Sequence, residues 1–241
     1  MNKIINIDGV YKLPDEVLED STEARFDYIF NTGVWAGGAG GESASGSGST
    51  IQNTEVYRNQ LLEFLKVQKN NPITFFDAPC GDLNWIRPFL THVQYIGGDI
   101  SGDLIDGLKI KYPDIELTKF DVTKDAFPAA HLWHCRHCLF HLSLSDVARA
   151  FENFEKSSIP TCLITNHFLP DSITFDIPTG SFRPLDLTNF PFFLPKPKLW
   201  LLDWHPLSGK LATASGLWSR SDIGVAVSNY RKFIETELGE N

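Results

Sequence analysis

Three short apolar segments, each closed by an aspartate, recur in the middle of the chain with the aspartates 22 residues apart. They are ITFFDA (Ile73–Ala78, with Asp77), VQYIGGDI (ending at Asp99) and IELTKFDV (ending at Asp121). Short apolar runs bounded by turn residues are the pattern of buried strands. Helical patterns separate them. Residues 51–69 set Val56, Leu61, Leu62, Phe64 and Leu65 near one helix face, and SGDLIDGLKIKYP reads as a helix stopped by Pro113. Beyond Asp121 the rhythm continues with HLWHC as a fourth strand. SLSDVARAFENFEKS follows as an amphipathic helix capped by Ser143 or Ser145, and PTCLITNHF as a fifth strand. Strand alternating with helix at this spacing predicts an α/β fold with a doubly wound, mostly parallel sheet.

The pattern breaks after Phe168. Residues 169–198 are rich in proline and lack a period. They predict a long loop, ordered by Phe175, Phe182, Phe190, Phe192 and Phe193. LWLLDW and LATASGLWS then read as an antiparallel strand pair near the C-terminus, with a closing helix over SDIGVAVSNYRKFIETEL. Between the first two strands, PCGDLNWIRPFL turns the chain through Gly81 and predicts a short helix from Asp82 or Leu83.

A chain of 241 residues suits one large α/β domain. Its formal net charge of −9 opposes binding to phosphate backbones, and no run of Lys or Arg makes a basic groove, so nucleic acid is not the expected partner. No apolar run reaches the length of a membrane span, and the charged start MNKIINIDGVYKLPDE does not read as a signal peptide. Four cysteines without a framework pattern suit reduced thiols in a cytoplasm. The expected substrate is a small molecule.

In open α/β sheets, ligands sit beyond the carboxyl ends of the strands. An acidic residue about 20 positions after a glycine-containing first turn can accept both hydrogen bonds of a ribose diol, and Asp99 fits that role. Asp121, one strand over, is placed for the exocyclic amine of an adenine. Each aspartate could instead cap the helix that follows it. The first turn, DAPCGD, has one glycine and not the three of a dinucleotide fingerprint, so a nucleoside without a pyrophosphate suits it better.

FFDAPCGDLNW, YIGGDI, LTKFDV and CRHCLFHL together resemble the successive motifs of class I S-adenosylmethionine-dependent methyltransferases over about residues 50–168. The resemblance implies S-adenosyl-L-methionine as cofactor. It implies that Asp77, Ala78, Pro79, Cys80 and Gly81 wrap its methionine end, with Asn84 and Trp85 beside them. It puts Asp99 and Ile100 at the ribose and Asp121 and Val122 at the adenine. The chain is also similar to a subset with a PCGDxNW turn, a CRDxLxHL-like motif and a late RPLxL…PFxxPxP loop, here FRPLDLTNFPFFLPKP. That subset implies a small, polar or sugar-linked acceptor methylated on oxygen, as in polysaccharide-precursor modification. Where it has Asp after the Arg, this chain has His137.

Within CRHC, His137 is a candidate general base, Arg136 a candidate to fix an anionic group on the acceptor, and His167 a rival base. Trp35, Asp176 and Arg183 are candidates to hold the acceptor. A zinc reading of His131, His134, Cys135, His137, Cys138 and His141 is weakened because all six fall within eleven residues. His141 reads as a helix-start or core histidine. The stretch Trp35–Thr50 has ten Gly or Ser among its sixteen residues, the composition of a tether. In similar enzymes such a segment covers the methionine end, which makes residues 1–50 a lid that brings Ser45, Gly46, Ser49 and Thr50 to the cofactor, and 51–241 the methyltransferase domain. Two other readings stay open: a nicotinamide-dependent oxidoreductase, and a nucleoside-binding module without catalysis.

Overall fold

The computed structural model describes residues 3–9, 13–69, 72–169, 173–203 and 213–239. Its first elements are β1 (Lys3–Asn6), α1 (Asp15–Leu18), α2 (Thr22–Thr32) and α3 (Glu55–Lys66). Next come β2 (Thr74–Asp77), β3 (Gln94–Asp99), α4 (Gly102–Lys111), β4 (Glu116–Lys119), β5 (Leu132–Cys135), α5 (Leu144–Glu155) and β6 (Thr161–His167). The chain ends with β7 (Ile173–Asp176), β8 (Trp200–Asp203), β9 (Thr213–Ser219) and α6 (Arg220–Gly239).

Seven strands make one sheet in the order β4-β3-β2-β5-β6-β9-β8. The pairs from β4 through β6 are parallel, and β9 runs antiparallel between β6 and β8. The chain starts at the centre with β2, winds outward to β4, and returns to β5 on the other side. That reversal opens a crevice at the carboxyl ends of β2 and β5. The predicted doubly wound sheet and its antiparallel C-terminal pair are therefore the observed ones.

Both faces of the sheet are buried, and successive strand residues divide between them. Phe76, Trp133, Cys162 and Ile164 face a core built with α5 and α6, around Phe151, Phe154, Ile223 and Val227. Phe75, Leu132 and Leu163 face the other core, with Tyr57, Leu61 and Leu65 of α3 and Ile105 and Leu108 of α4. Val56, expected on the inner face of α3, is 59% exposed. Tyr57 takes that position because Tyr57, Leu61 and Leu65 lie four apart along one face.

The first turn departs from expectation. No helix begins at Asp82 or Leu83; a 3-10 helix follows at Arg87–His92. The Asp82 carboxylate instead accepts the N–H groups of Ala44 (2.7 Å) and Asn84 (3.2 Å), holding an irregular turn in which Leu83 has φ 61°. The late loop contains β7, which pairs in parallel with β1 and ties the N-terminus to it. Residues 13–50 carry two helices and two 3-10 turns, Ala36–Ala39 and Ser47–Ser49, and pack over the crevice. Helix α2 is fastened to the sheet: Ser101 Oγ donates to Asp27 (2.5 Å) and Lys119 pairs with Glu23 (2.9 Å). No helix among the described residues is long and apolar enough to cross a membrane.

Candidate functional site

At the reversal point lies a cavity of about 310 Å³. Its inner side is made by strand ends. Pro79, Cys80 and Gly81 contribute the first turn, Asp99 and Ile100 the end of β3, and Phe120 to Thr123 the turn after β4. Gly81 has φ 54°, and a Cβ there would stand 2.4 Å from Ser45 Oγ. Only glycine lets the first turn meet the residue 35–50 segment so closely.

Asp99 is buried, and its two carboxylate oxygens accept the N–H groups of Ser101 (3.1 Å) and Gly81 (3.0 Å). Burial raises its pKa to about 6, against the lowering effect of those hydrogen bonds. Asp121 differs. Burial would raise its carboxyl too, but the hydroxyl and N–H of Thr123 and the Lys124 ammonium (3.0 Å) hold it below its ordinary value. Burial pushes the Cys80 thiol well up, which leaves it a packed thiol and not a nucleophile.

The floor centres on an ion pair. Arg136, just past β5, donates from Nε and Nη2 to both oxygens of Asp203 at 2.8 and 2.7 Å, and from Nη2 to the Gly48 carbonyl at 2.8 Å. Its guanidinium lies between the rings of Tyr57 (5.1 Å) and Trp85 (4.9 Å). His137 adopts φ 53° and sets Nε2 3.3 Å from the same Asp203. Burial would raise the Asp203 carboxyl, but the charges of Arg136 and His137 hold it well below the carboxylate range. Gly48 packs against the His137 ring so closely that a Cβ would come within 2.5 Å of Nδ1.

The outer side is aromatic. Trp35 meets Phe30 (centroids 5.4 Å apart) and His141 (4.7 Å), and Phe140 meets Phe182 (5.2 Å). His167, at the end of β6, and Thr213, at the start of β9, complete the wall.

The cavity thus brings together Trp35, Ser45, Gly46, Ser49, Pro79, Cys80, Gly81, Trp85, Asp99, Ile100, Asp121, Val122, Arg136, His137 and His167 from the expected set. Six expected residues lie outside its lining, among them Thr50, whose hydroxyl donates to the Ser47 carbonyl (3.3 Å). Asp77 is taken up by His134 Nδ1 (2.6 Å) and the Tyr95 hydroxyl (2.8 Å), and His134 passes on to the Tyr57 hydroxyl (2.8 Å). Ala78 is fully buried, with its carbonyl accepting from Trp133 Nε1. Asn84 fastens the overlying segment through the Ser49 carbonyl (2.9 Å) and Glu42 (2.9 Å). Asp176 accepts the Leu144 N–H at the start of α5. Arg183 is neither solvated nor in the lining. It is fully buried behind the wall and donates to the Phe175 and Leu139 carbonyls, with burial lowering its pKa to about 10.

Of the six residues in the zinc reading, His134 is committed to Asp77 and Tyr57, and His131 accepts from the Thr74 N–H. Sequence reasoning missed Asp203, Phe140, Phe182, Thr213 and the α2 aromatics Phe26 and Phe30. It also took His141 for a capping or core residue when it lines the cavity. The one available signal was the LLDW strand, whose Asp203 ends an apolar run as the three marker aspartates do.

No protein-family model matches the chain, and no curated protein matches it. Among solved structures it is similar to magnesium protoporphyrin IX methyltransferase from Synechocystis PCC 6803. With the form holding S-adenosylmethionine it shares 10% identity at a TM-score of 0.51, over 70% of this chain and 82% of that one. With the form holding S-adenosylhomocysteine the values are 9% and 0.52, over 70% and 86%. The chain has the Rossmann-like methyltransferase fold. In that fold the parallel strands carry the cavity, and the antiparallel pair β8–β9 supplies Thr213 to its wall and Asp203 to the ion pair with Arg136.

Proposed function

We propose that the protein transfers a methyl group from S-adenosylmethionine to an oxygen of a small acceptor. The observation that carries this reading is the pairing of Asp99 with the single-glycine turn at one end of the cavity. The Asp99 oxygens accept backbone N–H groups from Ser101 and Gly81 and retain acceptor capacity, which suits a vicinal diol. Ile100, Phe120 and Val122 supply apolar surface for a flat base, with Asp121 at its edge. The first turn carries one glycine, and the one guanidinium or ammonium in the described lining, Arg136, is engaged by Asp203, which favours a nucleoside thioether over a nicotinamide dinucleotide.

The bound cofactor would supply an electrophilic methyl group on a sulfonium. Cys80, Gly81 and the segment Ser45–Ser49 would cover its methionine end and exclude water, the lid role expected of residues 1–50. His137 is the proposed base. Its Nε2 lies 3.3 Å from the Asp203 carboxylate, which orients the ring on the cavity floor. Arg136 supports the floor by bridging Asp203 and Gly48 instead of holding an anion. Burial pushes the pKa of His141 down to about 3, which makes it the weaker base of the two. A sugar-linked acceptor is the class implied by the resemblance to sugar-modifying enzymes.

Calorimetric titration with S-adenosylhomocysteine, with NADH as control, tests the cofactor. Binding of the first alone supports the reading; preference for NADH, or no binding of either, overturns it.

A further inference from the structure

The turn PCGDLNW carries two polar side chains, Asp82 and Asn84, that stand outside the cavity lining. Both are spent on the segment that crosses the cavity. The Asp82 carboxylate accepts the Ala44 N–H at 2.7 Å, and the Asp82 N–H donates to Ser45 Oγ at 2.9 Å. Asn84 Nδ2 donates to the Ser49 carbonyl and to Glu42 Oε1, both at 2.9 Å. The same Glu42 oxygen accepts the Ile51 N–H at 2.6 Å. Glu42 therefore clasps the two ends of the segment to each other and, through Asn84, to the first turn.

The composition of the segment makes such ties necessary. Residues 43–49 read SASGSGS and hold no side chain larger than serine. Apolar burial contributes little to ordering them, and glycine loses more freedom on folding than any other residue. Yet Ser43, Gly46, Gly48 and Ser49 are buried, and Ser45 to Ser49 line the cavity. Their order has to come from hydrogen bonds. Glu42 supplies its share from the exposed surface, where the Ile51 N–H and the Asn84 amide hold its carboxyl below the ordinary value and keep it ionised at neutral pH.

The position of the segment decides what one end of the cavity offers. Ser45 stands against Gly81 of the first turn, and Gly48 against the His137 ring. The opposite end is fixed by other means. Asp99 is held by the Gly81 and Ser101 N–H groups, and its strand is paired with β4 by the sheet. Loosening the clasp would therefore open the end at the first turn and leave the nucleoside contacts in place.

Resting on the methyl-transfer reading, we infer that Glu42, acting through Asn84, is a positioning residue for the cofactor. It holds Ser45–Ser49 against the amino-acid end of S-adenosylmethionine, and the strand-end turns hold the nucleoside end without it.

Two ligands separate the ends in calorimetry on the full chain: S-adenosylhomocysteine, and methylthioadenosine, which keeps the nucleoside and the thioether but lacks the amino-acid end. Glu42→Ala and Asn84→Ala are each expected to weaken S-adenosylhomocysteine at least about fivefold, the size of one lost hydrogen bond, and methylthioadenosine by less than about twofold. Glu42→Gln keeps a carbonyl that can accept both N–H groups and is expected to stay within about threefold of the wild type for S-adenosylhomocysteine. Unchanged S-adenosylhomocysteine affinity in both alanine variants, an equal loss for the two ligands, or a glutamine variant as weak as the alanine one overturns the inference. A wild-type chain that binds neither ligand strikes the methyl-transfer reading instead. Hydrogen exchange reads the clasp with no ligand present: amides of residues 43–51 are expected to exchange about tenfold faster in Glu42→Ala, with those of α4 unchanged. Equal rates over residues 43–51 overturn the clasp itself.

Discussion

The two sides of the cavity are built by opposite means. The inner side is made of turns at strand ends, with both polar and apolar side chains drawn from one stretch, Pro79 to Thr123. The outer side is large rings and histidines gathered from α2, the residue 35–50 segment, the turn after β5, the end of β6 and the late loop. A site assembled from turns is fixed by the sheet itself. A site assembled from distant side chains depends on contacts that tie those parts together, and here the Arg136–Asp203 pair is the central tie.

That contrast can be broken most severely at Asp203. Asp203→Ala leaves the Arg136 guanidinium buried without its carboxylate and is expected to cost about 3–5 kcal/mol, read as a lower midpoint in urea unfolding. A loss under 1 kcal/mol would mean that the outer side does not need this tie. His137→Gln separates the sides by function. Turnover is expected to fall at least about 100-fold, the lower range for loss of a general base, while S-adenosylhomocysteine affinity stays within twofold. Full activity would move the base elsewhere.

Asp99→Ala is the converse test. It should weaken S-adenosylhomocysteine at least about tenfold, roughly 1.4 kcal/mol, with little effect on acceptor affinity. The smallest expected effect is with pH. Burial raises the Asp99 pKa to about 6, and a ribose diol prefers the ionised form that accepts both hydroxyls. Cofactor affinity should therefore hold above pH 6 and decline progressively below it, and Asp99→Asn should flatten that slope. A wild-type slope unchanged in the variant would assign the titration to another group.

The same contrast explains what was legible in the sequence. The doubly wound, mostly parallel sheet and the strand-end aspartates Asp99 and Asp121 follow from local periodicity, because consecutive βα units write their strands and turns in sequence. Asp77 shares the spacing but faces away from the cavity, since His134 and Tyr95 offer it buried partners that no local pattern records. Arg183 reads in the sequence as a loop residue that could hold the acceptor; its two carbonyl partners, Phe175 and Leu139, are brought to it only by tertiary packing. Phe182 reads in the sequence only as an aromatic that orders the late loop, and its meeting with Phe140 across 42 positions has no signature in spacing. The β1–β7 pair was hidden for a similar reason, joining two four-residue segments from opposite parts of the chain.

Asp203 ends the edge strand β8, whose neighbour Leu202 also exchanges hydrogen bonds with Gln60 of α3 at 3.0 and 3.4 Å. The stretch that carries every recognisable motif is therefore not a portable module. A fragment ending before Trp200 would keep the Asp99 turn and the CRHC segment yet strand a cation in the interior, and the same dependence would penalise grafting that segment onto another sheet. Any shortened or recombined form of this chain has to carry its last two strands with it.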